Sequence, residues 1–479
     1  MRYFVVILLF AATACKKDFL ESKDTSSLNR QTYVNNLTTM DQFASGIQMM
    51  MDRDFQRGLT VVYGDLTADN LKPGDITKKA LIPQYAWSQL ATDKSEDFVN
   101  NESVSMNGDW KSAYLCIRAC NFVIEDAGKY RSENPVKADK LKGQAYALRA
   151  LVHFKLVNLF AQTYSFTADA SHTGIPYITT SDITAPYKRN SVAEVYSNMI
   201  NDLQEAVKLM PEGIADSRFM NQPAAKALLA RVYLFKGDYE NAKRTALDVA
   251  GSYPLMTISQ GYPNGMYSYA GTAPTESLYQ LTPAFMTSPI VFTTSFAGYA
   301  LRGFLINFRP TQDIVSILSE DPNDIRSNWI MPDGTSFQAN KYPQGVAGLH
   351  VIKASDYYHT VIRSSEMYLT VAEASCNTHD ENTARQYLNA IRKRADPTLA
   401  DITPTGQALL DSVYKERRKE LAFEGMRMYD LQRWHKGVQR NDVLDGSNAT
   451  SLPFPSNKAI APIPIQDVRI AGINQNLDY

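Results

Sequence analysis

Excess positive charge is the first thing this chain of 479 residues lacks: 49 Lys and Arg stand against 50 Asp and Glu, for a net charge of −1. Neutralising phosphates takes clustered cations, so nucleic-acid binding has no support. Long apolar runs are lacking too. The one available, Tyr3 to Ala12, is about half the roughly 20 residues a membrane span requires. Following Arg2, it reads as the apolar stretch of a signal peptide over residues 1–14. Cysteine is scarce, and beyond Cys15 only Cys116, Cys120 and Cys376 remain, an odd number that implies no disulfide framework. Cys116 and Cys120 share a helix face, but no His or Cys cluster lies near enough in sequence to complete a zinc site, so buried thiols and no metal are expected. No phosphate loop, HExxH, GxSxG or CxxC run occurs. Nucleotide, metallohydrolase and nucleophile chemistries therefore lack their motifs, and no cofactor is expected. Asp65, Asp69 and Asp75 do not follow EF-hand spacing, and the histidines are scattered, with His153 expected to be a satisfied core residue.

With 44% apolar and 21% charged residues, the chain has the material for a large globular core. Ala12-Thr13-Ala14-Cys15 places small residues before a cysteine and resembles the bacterial lipobox, whose cysteine is lipidated and becomes the mature N-terminus. Residues 15–35 are polar and read as the lipidated N-terminus and a tether.

Helical periodicity dominates the remainder of the chain. Leu37 to Met51 and Trp110 to Ala127 read as helices, with an irregular stretch from Asp52 to Ser105 between them. Gln144 to Phe160 is apolar nearly all round and is expected to be a central buried helix. Leu229-Ala230, Tyr233, Ala242 and Pro254 follow tetratricopeptide spacing, in which small residues let two helices pack closely and proline ends the second, with Gly237-Asp238-Tyr239 at the turn. Glu194 to Met210 reads as a second such helix paired with Gln144 to Phe160. Met367 to Ala374 with Ala384 to Lys393 forms a third candidate pair. The expected fold is mostly α, a tetratricopeptide-like helical-repeat scaffold with long irregular loops forming the ligand face. Residues 36–250 make an N-terminal repeat region and residues 251–479 a C-terminal region packed with it as one unit.

The run from Tyr414 to Gly437, YKERRKELAFEGMRMYDLQRWHKG, mixes charge with large apolar residues too thoroughly for a solvated helix or an ordinary core helix. Glu416, Glu420 and Glu424 fall one turn apart, which destabilises a helix unless cations are near. Arg417 with Glu420, Glu424 with Arg427 and Asp430 with Arg433 are spaced as i, i+3 pairs. A partly buried ion network is expected, with a bend at Gly425. A glycoside-hydrolase reading would use two of these glutamates with His435. Carboxylates among several arginines would have depressed pKa values, poor for a general acid.

Residues Tyr253 to Gly348 break the helical pattern with Gly, Pro and aromatics, and loops of that length on a rigid scaffold often carry recognition. A sugar site needs aromatic planes beside amides and carboxylates. Two segments have that composition: Asp69 to Trp110, with Asp69, Asn70, Tyr85 and Trp87, and Tyr262 to Trp329, with Tyr267, Tyr269, Tyr299 and Trp329. Trp87, beside Tyr85, is the first choice for stacking on ligand; the alternative is that it packs its loop onto the helices.

Glu416-Arg417-Arg418, Glu420 through Gly425, Arg427, Asp430-Leu431 and Arg433-Trp434 closely resemble the C-terminal signature of the SusD/RagB family of outer-membrane nutrient-binding lipoproteins. Leu148-Arg149-Ala150, Gly174-Ile175-Pro176, Val361-Ile362-Arg363, Glu366 to Leu369, Ala372-Glu373-Ala374 and Ile460 to Pro464 match further motifs, so the resemblance covers nearly the whole mature chain. Lys16-Lys17-Asp18 resembles the surface-export signal of lipoproteins from this family's bacteria. The resemblance implies a cell-surface lipoprotein, anchored in the outer membrane through Cys15. It also implies that the protein binds an extracellular nutrient, usually a glycan and in some members a peptide, and delivers it to a SusC-like TonB-dependent transporter. It implies no catalysis. A lipid-anchored hydrolase and a scaffold that binds only proteins are the competing readings.

Overall fold

The computed structural model describes residues 33–51, 60–74, 81–91, 106–265, 276–281, 308–342 and 359–479. Its helices are α1 (Leu37–Met50), α2 (Thr60–Thr67), α3 (Ile82–Tyr85), α4 (Met106–Asp126), α5 (Pro135–Phe160), α6 (Val192–Leu209), α7 (Gln222–Lys236), α8 (Tyr239–Ser252), α9 (Gln312–Leu318), α10 (Ser364–Asn377), α11 (Glu381–Ala395), α12 (Gly406–Glu420), α13 (Arg427–Arg433) and α14 (Ile465–Ala471). Among the described residues eight short strands accompany them: β1 (Leu71–Pro73), β2 (Ser277–Leu281), β3 (Phe308–Pro310), β4 (Ile330–Asp333), β5 (Ser336–Ala339), β6 (His359–Arg363), β7 (Val438–Gln439) and β8 (Ser451–Leu452). They pair antiparallel as β1–β3, β2–β6, β4–β5 and β7–β8.

The helices stack as neighbours along the chain: α4 on α5, α5 on α6, α6 on α7, α7 on α8, then α8 on α10, α10 on α11, and α12 against both of the last two. The repeat is thus interrupted after α8 and resumes at α10. Local signals set its punctuation. Asn134 accepts from the Lys137 N–H and Pro135 opens α5. Ser191 and Glu194 cap α6 reciprocally, and Asn221 and Asp238 cap α7 and α8, each satisfying amides the helix leaves unpaired. Gly237, at φ +78°, makes the left-handed turn that folds α8 back on α7. Gly143 lets α5 and α6 approach, since a Cβ there would lie 2.8 Å from Met210 Cγ.

One continuous apolar core runs from Val34 to Ile473 and takes in both halves of the chain. Several polar residues inside it pair across helices. Arg149 of α5 forks onto Asp202 of α6 at 2.7 and 2.6 Å and reaches Asn121 of α4 at 2.6 Å, tying three helices together. His153, fully buried, stacks on Tyr177 with ring centroids 3.8 Å apart. Cys116 and Cys120 are buried and Cys376 half-buried. Among the described residues no helix is long and apolar enough to cross a membrane.

Two expectations need correction. The stretch from Asp52 to Ser105 is not irregular throughout, because α2 and α3 lie within it; α2 has only eight residues, too few for helical periodicity to register. The run from Tyr414 to Gly437 is not one bent helix. The α-helix ends at Glu420, a turn comes next with Phe423 at φ +67° and Gly425 at φ +77°, and α13 begins at Arg427. Asp65 of α2 holds that turn, its Oδ1 accepting from Phe423 N–H at 3.4 Å and its Oδ2 from Gly425 N–H. Gly64 makes room, since a Cβ there would fall 2.0 Å from the Gly425 carbonyl oxygen.

Candidate functional site

The end of α12 and the turn after it carry a buried ion cluster. Glu420 is fully buried. Its Oε1 accepts from Arg363 at 2.7 Å and Arg394 at 2.6 Å, and its Oε2 from Arg326 at 3.2 Å and Tyr262 Oη at 2.9 Å. Glu276 bridges the same arginines, at 3.0 Å to Arg363 and 2.6 Å to Arg394. Glu424 receives Arg363 and Lys341, each at 2.6 Å. Arg326 also meets Glu416 at 2.6 Å and Asp324 at 2.7 Å, and Lys419 closes on Asp324 at 2.6 Å. Aromatic faces cover two of the cations: Arg394 lies 3.8 Å over Tyr262 and Lys341 lies 3.8 Å over Trp329.

Two satellite clusters extend it. Asp430 pairs with Arg417 and Arg433, both at 2.9 Å, and Arg433 forks onto Glu373 of α10. Arg427 reaches Asp69 at 2.7 Å, and Arg418 reaches Asn70 at 2.8 Å. Of the three expected i, i+3 pairs, only Asp430 with Arg433 forms. Arg417, although in the same helix as Glu420, turns to Asp430, while Glu424 and Arg427 take partners elsewhere because the break after Glu420 ends the helix that would have stacked them.

Burial pushes the Glu420 carboxyl up, but Arg394, Arg363 and Arg326 outweigh it and hold it well below the usual range. Against the same penalty, Arg363 and Lys341 hold Glu424 at about 2, and Arg326 and Lys419 hold Asp324 at about 2. Such groups stay ionised at neutral pH and have no proton to donate. The cluster holds the fold together and is not built for acid catalysis.

These depressed carboxylates make the fold acid-sensitive. The ordinary values for the two side chains are 4.5 and 3.8, so the unfolded chain takes up these protons first. Their contribution is whole above about pH 4.5 and is lost as pH falls toward 2. The melting temperature is expected to drop steeply across that window. Glu424→Gln, less stable at neutral pH, should show a shallower drop; an equally steep one would mean the acid sensitivity lies elsewhere.

The five described ligand candidates all lie inside the protein, and for Trp87 this is the alternative reading, in which the ring packs its loop onto the helices. Trp87 is 8% exposed and packs on Ala68, Met428, Leu431 and Val438. Its Nε1 donates to the Thr67 carbonyl at 3.0 Å. The Arg440 guanidinium lies 4.0 Å from the Trp87 ring and 4.0 Å from the Tyr85 ring, occupying the stacking position a sugar would take. Tyr85 is fully buried and its Oη accepts from Leu444 N–H at 3.0 Å. Asp69 is spent on Arg427, and Asn70 on Asp65 and Arg418. Trp329 is fully buried, its Nε1 donating to the Pro263 carbonyl at 3.3 Å. Trp87→Ala is therefore expected to cost about 3–5 kcal/mol of stability, read from the denaturation midpoint, and an unchanged midpoint would return the ring to the ligand candidates. Cys15, Tyr267, Tyr269 and Tyr299 lie outside the described residues.

The strand pairs show which described chain ends lie together. Leu281 pairs with His359, so the described ends of segments 282–307 and 343–358 meet. Pro73 pairs with Phe308, bringing the other end of 282–307 beside the start of 75–80. A framework clamped by buried ion pairs thus carries these three segments from adjoining anchor points.

Sequence reasoning missed most of the cluster's cations and Glu276. Arg231, Glu366 and Glu373 did leave a signal, each being a charge beside apolar or small neighbours on a helix buried along most of its length; Arg231 meets Glu366 at 2.7 Å. Glu276, in an irregular stretch, left none.

Known proteins share this architecture. The family model described as "Starch-binding associating with outer membrane" matches residues 18–234, and the SusD family model matches residues 311–469. A crystal structure of a putative sugar binding protein from Bacteroides vulgatus superposes with a TM-score of 0.79 at 28% identity, covering 93% of this chain and 99% of that one. A SusD superfamily protein from Bacteroides thetaiotaomicron gives a TM-score of 0.79 at 26% identity, over 92% of this chain and 100% of the other. A SusD-like protein of Formosa agariphila is 21% identical over 97% of this chain and 95% of its own length.

Proposed function

This chain belongs to the SusD/RagB family, and from that premise we propose that it captures an extracellular carbohydrate at the outer membrane and passes it to a SusC-like TonB-dependent transporter. The observation that carries the reading is the whole-length structural likeness to a putative sugar binding protein. The buried chemistry agrees with binding rather than turnover: the glutamates nearest a hydrolase pattern, Glu416, Glu420 and Glu424, are each locked onto cations. Recognition falls to the loops, in keeping with a rigid scaffold whose strand pairs anchor adjoining segments. Lipid attachment through Cys15 would hold the chain at the membrane, where the several acyl chains of a lipoprotein N-terminus give stable anchoring that one chain does not.

Purification of a tagged chain from native membranes in mild detergent tests delivery and anchoring together. A large β-barrel protein is expected to co-purify, and Cys15→Ala should leave the protein outside the membrane fraction. Isolation without a barrel, or a Cys15→Ala chain that stays membrane-bound after a high-salt wash, would contradict the proposal.

A further inference from the structure

The described chain enters at the end of α4. The Val34 carbonyl accepts from Tyr130 Oη at 2.8 Å and Leu37 N–H donates to Glu133 at 3.0 Å, just past the C-terminus of that helix. A continuous surface leads away from this corner. Ser181 N–H and Oγ donate to Glu125 at 2.7 and 2.5 Å, and Arg118 Nε donates to the Ser181 carbonyl at 3.1 Å, which lays the segment before Tyr187 along α4. Tyr187 Oη then donates to Asp467 of α14 at 3.1 Å, and Arg189 Nη1 to the Asn474 carbonyl at 3.0 Å. Along this edge stand Leu115, Ile183, Tyr187, Ile470 and Leu477, five of the twelve large apolar residues exposed among the described ones. Leu115 shares a face with Arg118, and Ile470 with Asp467, one turn away in each case. Single exposed apolar residues are normal, but several on one connected edge call for a partner. Ile470 is 86% exposed, Leu477 74% and Ile183 71%. The first two are not needed to hold α14 and the tail. Val468 and Ala471 already pack α14 onto the core, and Asn476 fastens the tail to the Phe160 and Ala461 carbonyls at 2.9 and 2.7 Å.

We propose that this edge is the surface that docks on the barrel transporter, an inference that rests on the delivery reading above and gives it a location. Residues 16–32 join Cys15 to the described chain, at most about 60 Å when fully extended. A barrel in the same membrane therefore meets the entry corner, and the edge adjoining it, at the highest effective concentration. Charges of both signs, Asp182, Lys188, Asp467 and Arg469, are set among the apolar side chains. Lipid hydrocarbon would strip water from them without pairing them, whereas the polar rim of a protein interface pairs them. The occupant is thus a protein surface, apolar at its centre and charged at its margin. Tyr187 is held by Asp467 before contact, which lowers the entropy lost on binding.

The test is photocrosslinking of the full chain in its native membranes. Benzoylphenylalanine placed at Ile470 or at Ile183 is expected to give a product with the summed mass of this chain and a TonB-dependent barrel, identified by peptide mass spectrometry. Placed at Lys208, at the other end of the 18-residue α6 from Arg189, it should give little or none. Ile470→Glu combined with Ile183→Glu is expected to cut the barrel recovered with the tagged chain by about tenfold or more. Melting temperature and membrane attachment should stay at the parental level, because both side chains are in solvent. Crosslinks from the edge to a second copy of this chain or to lipid alone, or undiminished recovery of the barrel by the double variant, would overturn the proposal. In that last case the barrel still comes down, so the delivery reading stands while this surface falls; a parent chain that brings down no barrel would sink both.

Discussion

Replacing Glu420 with Gln is expected to cost about 3–5 kcal/mol of folding stability, the usual loss when one partner of a buried ion pair is removed. The substitution keeps the volume but strips the charge that Arg326, Arg363 and Arg394 converge upon. With an unfolding entropy of roughly 2 cal/mol/K per residue, a chain of this length melting as a unit would lose roughly 3–5 °C. Glu205 serves as the control. It pairs with Lys208 at 3.6 Å with both side chains well exposed, and Glu205→Ala should stay within about 0.5 kcal/mol of the parent. Equal effects at the two positions would mean that the buried cluster does not clamp the fold.

Arg440→Ala should match or exceed that loss. The guanidinium is 4% exposed and donates to five carbonyls: Ala68 at 2.6 Å, Tyr85 at 2.8 Å, Ala449 at 3.1 Å, Leu66 at 3.1 Å and Thr67 at 2.9 Å. Two of these end α2, where helix carbonyls have no partner of their own and carry partial negative charge. Burial lowers the guanidinium to about 10, still far above neutral, so the donors stay in place. Each carbonyl left unpaired costs on the order of 1–3 kcal/mol, and even partial recovery by water leaves a total of about 4 kcal/mol. Arg440→Lys should recover little of it, because a lysine has three donors and no plane to lie between Tyr85 and Trp87. Urea denaturation reads both variants, and a lysine variant at parental stability would refute this account of the residue.

Much of the scaffold is legible in the chain because its signals are local. Asn134-Pro135, Ser191 with Glu194 and Gly237-Asp238 punctuate helices at short range, and the small residues around Ala230 and Ala242 mark close-packed pairs. The charged run could be recognised as buried, since its apolar residues demand it. Its wiring could not be read. Phe423 adopts a left-handed φ that only tertiary contacts sustain, and the helix break it helps to make brings Asp430 of the next helix to Arg417 and turns Glu424 to Arg363 and Lys341 from distant segments. Trp87 is misplaced by sequence reasoning for a related reason. An irregular stretch is not the same as an exposed one, and the cation that covers this ring comes from Arg440, at the far end of the chain. The motif resemblance located the family through residues that hold the fold, Arg363, Glu373, Glu420 and Arg433 among them, and so is informative about architecture and silent about which ligand the loops take.

Calorimetric titration of the protein with a panel of neutral oligosaccharides and peptides, with reducing ends assayed afterwards, tests the central claim of capture without cleavage most directly. The account predicts saturable heat with at least one glycan, none with the peptides, and no new reducing ends on prolonged incubation. Release of reducing ends, or saturable heat from peptides alone, would contradict it.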